Sequence, residues 1–363
     1  MAIAMDDPAP IDPRLDSLAY SLARYDAIGT PRRAFRGSNP GEAAAWRAEA
    51  RASLRERVGV GWPDRADCPP LGPEFGEATE RDGLVRRPIT FATRPGMAAC
   101  GYVATRADAP KGRRPAVVCL PGHGYGADDL VGLDDEGQER DGPDGYQHDF
   151  ALQCARRGYV AVALEMIGFG KRRDPAAREK GPSASSCQPA SGAALLLGES
   201  MVGWRVWDVI RTLDLLEATP GVDPRRLALM GISGGGTVAL YAAALDERVA
   251  AAVLSCSYCT LRDSIYSIGH CIDNYVPGLL RDFEAADLAA LIAPRGLIVE
   301  AGATDNIFPE PGVRAAYAAA ERAFAASGAA DRLAIDVFDG GHQFDGKAAF
   351  ATLDAWLRPG EPS

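Results

Sequence analysis

Beyond about residue 86 the sequence is punctuated by six short apolar runs: RPAVVCLPG, GYVAVALEM, RRLALMGIS, RVAAAVLSC, RGLIVEAG and RLAIDVFDG. Each is apolar at successive positions, not only at alternate ones, which is the pattern of a strand covered on both faces. Between them lie HDFALQCARR, MVGWRVWDVIRTLDLLEAT, GGTVALYAAAL and PGVRAAYAAAERAFAAS, which read as helices. Strands that alternate with helices predict an α/β fold with a mostly parallel sheet and helices on both faces. RPITFAT and MAACGYVAT, on either side of Arg94-Pro95-Gly96, add a hairpin in front of this array. Two long polar connections, 126–146 and 171–199, interrupt it, and loops of that length in a compact domain tend to carry function.

Residues 1–85 have a different texture. PRLDSLAYSLARYDA and NPGEAAAWRAEARASLRERVG read as helices, the second with Asn39 as its N-cap and Pro40 in its first position. A Pro/Gly-rich connector, GWPDRADCPPLGPEFGEATERDG, follows. The expected organisation is an N-terminal helical extension over 1–85 packed on a catalytic domain over 86–363.

The net charge of -10 is scattered along the chain, with no basic stripe, which argues against nucleic acid as a partner. No basic segment leads into an apolar one at the N-terminus, and no stretch of about 18 apolar residues occurs. The expectation is a soluble cytoplasmic protein without a membrane partner, its possible homo-oligomerisation left open. Eight cysteines, several within apolar runs, read as buried free thiols in a reducing compartment. Cys256 and Cys259 form a CxxC, but no second pair completes a zinc set, so no metal is expected.

LALMGISGGGTVALYAAAL places Gly231-Ile232-Ser233-Gly234-Gly235 between a predicted strand and a predicted helix. G-x-S-x-G carries meaning only at such a junction. The chain nearly reverses there, so the serine is forced into an unusual backbone conformation and its neighbours two positions away must lack a Cβ. A plain tight turn capped by a serine is the competing reading, and the rest of the chain decides between them.

An activated serine needs a base and a group that orients the base. Of the four histidines, only His342, in DVFDGGHQF, lies in a loop after the last predicted strand. The strand before it ends in EAGATDNIFP, which delivers Asp305. Ser233, Asp305 and His342 thus each follow a strand, at the end where parallel sheets place their sites.

On CLPGHGYG, VDPRRLALMGISGGG, AGATDNIFP and DGGHQF the chain resembles the α/β-hydrolase superfamily, in its dienelactone-hydrolase-like and acetyl-xylan-esterase-like bacterial branch. The resemblance covers roughly 86–358, and extends more weakly to the FRGSNPGEAAAWRAEARASLRERVG helix. It implies an eight-stranded, mainly parallel sheet and serine hydrolase chemistry. Dienelactone hydrolases proper carry cysteine at the nucleophile; Ser233 moves the expectation toward an esterase. By the same resemblance the oxyanion hole takes one amide from Gly122-His123-Gly124-Tyr125-Gly126, that of Tyr125 with Gly124 as the alternative, and one from Gly234.

Gly122, Gly124 and Ala127 also satisfy the G-x-G-x-x-A of a dinucleotide site, but the acidic, turn-rich DDLVGLDDEGQERDGPDG that follows is no helix. Nor does the spacing of those acids fit a calcium loop. The loops after the other strands are expected to wall the pocket. Candidate substrate contacts are His123, Glu165, Tyr258, His270 and Tyr275, with Met166, Lys171, Arg172 and Arg173 at the rim, while Trp204 and Trp207 are assigned to core packing. The expected activity is hydrolysis of a small-molecule carboxylic ester, acetyl or sugar esters included, without cofactor. A peptidase or thioesterase on the same triad, or a silent binding protein of the same fold, are the alternatives.

Overall fold

The computed structural model describes residues 12, 14–59, 68–143 and 145–358. The N-terminal segment ahead of the first helix and the first part of the Pro/Gly-rich connector, at 60–67, fall largely outside these residues.

Ten strands form one sheet: β1 Glu74–Phe75, β2 Thr79–Arg81, β3 Leu84–Arg94, β4 Met97–Arg106, β5 Arg114–Leu120, β6 Val160–Leu164, β7 Val222–Ile232, β8 Val249–Ser255, β9 Gly296–Gly302 and β10 Leu333–Phe338. Their order is β1-β3-β4-β6-β5-β7-β8-β9-β10, with β2 also paired to β3. β3 and β4 form the expected hairpin, closed by Gly96 at φ 74°. β4 meets β6 antiparallel, and from β6 through β5 to β10 every pairing is parallel. Eight strands, β3 to β10, are those implied by the resemblance to α/β hydrolases. β1 and β2 are short additions at the hairpin edge, so the sheet begins ahead of residue 85 and that divide falls inside the β2–β3 hairpin.

The pleat explains why the strands are apolar throughout. Ala116, Val118 and Leu120 of β5 join a core shared with the helices Met201–Ala218 and Gly234–Leu245, whereas Val117 and Cys119 join a second core with Phe150–Arg156 and Lys347–Leu357. Successive side chains point to opposite faces, and both faces are covered. β10 departs from the pattern: apart from Leu333 its residues are half-exposed, because it is the last strand of the sheet.

The N-terminal helices lie against this body. In the helix Pro40–Val58, Asn39 accepts from the Glu42 amide at 3.0 Å as its N-cap, and Ala43, Ala50, Leu54 and Val58 are buried. Arg51 donates to the carbonyls of Ala244 and Leu291, in the last turns of two helices of the body, where carbonyls lack intrahelical partners. Ser200 donates to the Val58 carbonyl at 2.6 Å. Among the described residues no helix is long and apolar enough to cross a membrane.

Candidate active site

β7 runs directly into the helix Gly234–Leu245 through Ser233, whose backbone sits at φ 54° and ψ -126°. That is a strained conformation for a residue with a side chain, held here because its surroundings determine it. The Ser233 amide donates to Ser255 at the end of β8, at 3.0 Å, and its carbonyl accepts from Thr237 in the first turn of the helix. A Cβ on Gly231 would collide with the Gly235 carbonyl, and one on Gly235 with the Leu120 carbonyl. The crowding expected two positions on either side of the serine is therefore present on both.

Asp305 follows β9 and His342 follows β10. The imidazole Nδ1 lies 2.7 Å from Asp305 Oδ2, while Asp305 Oδ1 accepts from the amides of Ile307 and Phe308 at 2.8 and 3.2 Å. Burial alone would raise this carboxyl's pKa, but those hydrogen bonds more than offset it and hold the group below the usual carboxylate range. Tyr146 and Phe308 each stack on the His342 ring, with centroids at 5.6 and 5.9 Å. Cys256 donates to the Gln343 carbonyl at 3.3 Å and so braces the histidine loop; burial pushes its thiol up to about 12. Tyr146 ties this corner to the serine turn, since its hydroxyl donates to the His123 carbonyl at 2.7 Å. A Cβ on Gly122, next to His123, would lie 3.1 Å from Ser233 Cβ. Among the described residues no hydrogen bond joins Ser233 to His342.

The turn after β5 corrects one expectation. The Tyr125 amide donates to Asp129 Oδ2 at 2.8 Å, so it is already satisfied and does not face an oxyanion. The Gly122 amide is taken by Gln147 Oε1, also at 2.8 Å. The amides of His123 and Gly124 between them have no acceptor among the described residues. Gly234, as the first residue of its helix, has no intrahelical acceptor for its amide either.

Two proposed substrate contacts are core residues instead. Tyr258 is fully buried, its hydroxyl donating to the Ala316 carbonyl at 3.1 Å. Glu165, equally buried, lies beneath the oxyanion-side loop, where it accepts from the amides of Ala127 and Lys171 at 3.2 Å each. Burial pushes its carboxyl up to about 7. Neither position is legible as buried because both lie within three residues of a strand end, where exposed loop residues begin in most α/β units. The basic rim is likewise engaged internally: Arg172 pairs with Asp208 at 2.7 Å, Arg173 with loop carbonyls, and Lys171 with Tyr102 and Asp128. Met166 is buried in the core. Trp207 is buried and donates to the Thr93 carbonyl, in keeping with core packing.

His123, His270 and Tyr275 stay near the surface. Tyr275 is exposed, its hydroxyl donating to the Ile265 carbonyl. His270 lies edge-on to Phe308 and contacts Asn274 through Nδ1; its Nε2 has no partner among the described residues, and burial lowers its pKa. His123 packs over the elbow, with Cε1 at 3.5 Å from where a Gly234 Cβ would sit. Its Nε2 lies 3.3 Å from Asp273 Oδ2, and Cys187 and the buried Arg205 complete that corner. Burial pulls the imidazole pKa down, but its contacts with Asp273 and Cys187 prevail and lift it to about 9. Cys187, Arg205 and Asp273 went unseen in the sequence, where their spacing matches no motif. Cys256 and Cys259 make separate contacts, with the histidine loop and the Pro309 carbonyl, and no disulfide joins any of the eight cysteines. A cavity of about 840 Å³ between Arg86, Arg140 and Arg157 has none of Ser233, Asp305 and His342 in its wall.

A sequence model described as the abhydrolase family matches residues 29–327, which includes Ser233 and Asp305 and stops short of His342. A Bacillus subtilis (strain 168) protein, YtaP, provisionally described as a hydrolase, is 31% identical over 185 residues. That alignment covers 50% of this chain and 58% of YtaP, so the chain spans somewhat over half the length of this curated relative. Among solved structures, a Bacteroides fragilis protein provisionally described as an acetyl xylan esterase superposes with a TM-score of 0.75 at 21% identity, covering 89% of this chain and 82% of that one. A glucuronoyl esterase from Solibacter usitatus gives a TM-score of 0.63 at 16% identity, with 90% and 95% covered. At such identities the two structures establish a common fold.

Proposed function

The chain belongs to the abhydrolase family, and from that premise we propose that it is a serine-dependent carboxylic ester hydrolase. The observation that carries the reading is Ser233 in its strained elbow together with the Asp305–His342 pair, all three following the C-terminal ends of parallel strands, β7, β9 and β10, of one sheet. Ser233 Oγ attacks the ester carbonyl while His342 Nε2 takes its proton. Asp305, bonded to Nδ1, fixes the tautomer and stabilises the imidazolium. The tetrahedral intermediate collapses as His342 hands the proton to the leaving alcohol, and a water activated by the same imidazole releases the acyl group.

The charge on the former carbonyl oxygen is met by the Gly234 amide and by the free amides of the His123-Gly124 stretch, each worth roughly 3 kcal/mol in a site sheltered from water. The strained turn serves both tasks, since it lifts the hydroxyl and aims the Gly234 amide. Sugar esters are the substrate class put first, because the structures sharing this fold are described as acetyl xylan and glucuronoyl esterases. The free thiols favour the cytoplasm as the compartment.

A fluorophosphonate probe tests the nucleophile. Labelling should map to the peptide holding Ser233 and vanish in Ser233→Ala; labelling that persists in the variant refutes it. Acetylated sugars, p-nitrophenyl esters of rising chain length and peptide amides, compared by kcat/KM, then test the class, and a preference for amides would overturn the ester reading.

A further inference from the structure

We propose that His123, Cys187, Cys271 and Asp273 form a binding site for a thiophilic divalent cation of the zinc type. One nitrogen, two sulfurs and one carboxylate oxygen from these side chains all lie within 4.8 Å of one another. Three of the six edges between them are 3.3 Å for His123 Nε2 to Asp273 Oδ2, 3.1 Å for Cys187 Sγ to Asp273 Oδ2, and 3.9 Å for Cys187 Sγ to His123 Nε2. A tetrahedral centre with metal–sulfur bonds of about 2.3 Å and metal–nitrogen or –oxygen bonds of about 2.0 Å spaces its ligand atoms roughly 3.3 to 3.8 Å apart, within about half an ångström of those edges. Two thiolates and an imidazole select zinc over magnesium or calcium, which prefer oxygen throughout.

The surroundings of the four ligands suit an ion. Cys187 and Asp273 are each 1% exposed, while His123 and Cys271 are half-buried and leave a path from the surface. Asn274 donates to Asp273 Oδ1 at 2.8 Å, which turns Oδ2 toward the centre. Arg205, itself buried and stacked on Phe169, donates to Asp273 Oδ2 at 2.6 Å and to Cys187 Sγ at 3.4 Å. A dication held by two thiolates and a carboxylate carries one net negative charge, and the guanidinium cancels it. Outer partners of this kind orient ligands and tune the metal.

With four protein ligands the centre is closed, so the ion holds structure and activates no water. It joins three segments that are far apart in sequence: the turn after β5, the start of the helix Cys187–Leu196, and the loop at 267–275. Through His123 it also fixes the stretch packed over Gly234. The inference stands apart from the ester reading, because the cluster binds metal or fails to whatever Ser233 does.

The untagged full chain, purified without chelator, should hold about one zinc per chain by elemental analysis. Exchange for cobalt should give intense visible bands of a tetrahedral ion and a near-ultraviolet thiolate-to-cobalt band, the latter falling by about half in Cys187→Ser or Cys271→Ser. If those variants do not fold, titrating the thiols of the native protein with a mercurial should release the zinc to a colorimetric indicator. Protein reloaded with zinc chloride and desalted that retains less than about a tenth of an equivalent overturns the proposal. So does a cobalt spectrum without the thiolate band, or a peptide mass showing Cys187 and Cys271 joined in a disulfide.

Discussion

His342 and His123 each lean on a buried aspartate beside the serine turn, yet the two carboxylates are held in opposite ways. Asp305 is met by two backbone amides and the imidazole, with no guanidinium or ammonium among its hydrogen-bond partners in the described residues. Asp273 is met by Arg205 at 2.6 Å, by Cys187 and by His123. A carboxylate that must stabilise a passing imidazolium needs its charge unspent, and Asp305 keeps it. Asp273 shares its charge between the permanent cation of Arg205 and His123, and in the proposed mechanism that histidine is an anchor that cycles no proton. The nitrogens differ too: His342 uses Nδ1 for its aspartate, which leaves Nε2 for a substrate proton, whereas His123 uses Nε2.

The most severe way to break this comparison is to remove the members proposed to cycle the proton. Ser233→Ala and His342→Ala should each lower kcat by a factor on the order of 10⁴ to 10⁶, measured on the best ester of the panel. A residual rate within tenfold of the parent would dissolve the triad. Next comes the direct contrast of the two aspartates. Asp305→Asn should cost roughly 10⁴ in kcat through the wrong tautomer, and Asp273→Asn less than about tenfold. Equal losses in two folded proteins would erase the distinction between base partner and anchor.

Arg205→Met sharpens the anchor side. In the metal-free protein it leaves the buried Asp273 without its guanidinium partner and should lower unfolding free energy by about 3 to 5 kcal/mol in denaturant titrations. Adding Asp273→Asn should recover part of that loss, and a purely additive pair would show that the two groups do not interact.

The smallest effect concerns Glu165, a third carboxylate held by backbone amides but with no imidazole on it. Its folded pKa is raised to about 7 by burial, so between the ordinary glutamate range and pH 7 the folded state binds more protons than the unfolded one. Stability should therefore fall as pH rises through that window, by up to about 3 kcal/mol, and level off above it. Glu165→Gln should flatten this slope in a Tm series from pH 4.5 to 8; an unchanged slope would assign it to other groups, such as Asp149, which burial also raises, to about 6.

Much of this is legible in the sequence. The hairpin at Arg94-Pro95-Gly96, the parallel strands and the Asn39 cap are local matters of side-chain period and turn chemistry, and each lies where its residues indicated. The elbow was legible for the same reason, since the glycines at 231 and 235 mark backbone that leaves no room for a Cβ. The errors share a different character. Glu165 and Tyr258 were assigned to the pocket from their position after strands, but their burial depends on which loops fold back over them. The Tyr125 amide was assigned by resemblance, and it is Asp129, four residues on, that takes it.

By itself, then, the sequence determined the α/β layering, the serine turn and the order Ser233, Asp305, His342, because periodicity and steric demand are written in neighbouring residues. The tertiary structure alone decided which amides remain free, which carboxylates are spent on cations, and that His123, Cys187, Arg205 and Asp273 meet. Those four stand 64 to 86 residues apart along the contacts that join them, apart from the Arg205–Cys187 step of 18 and the His123–Asp273 pair, still farther apart in the chain. No local pattern encodes such a meeting, since it follows only once the sheet has fixed where each loop emerges.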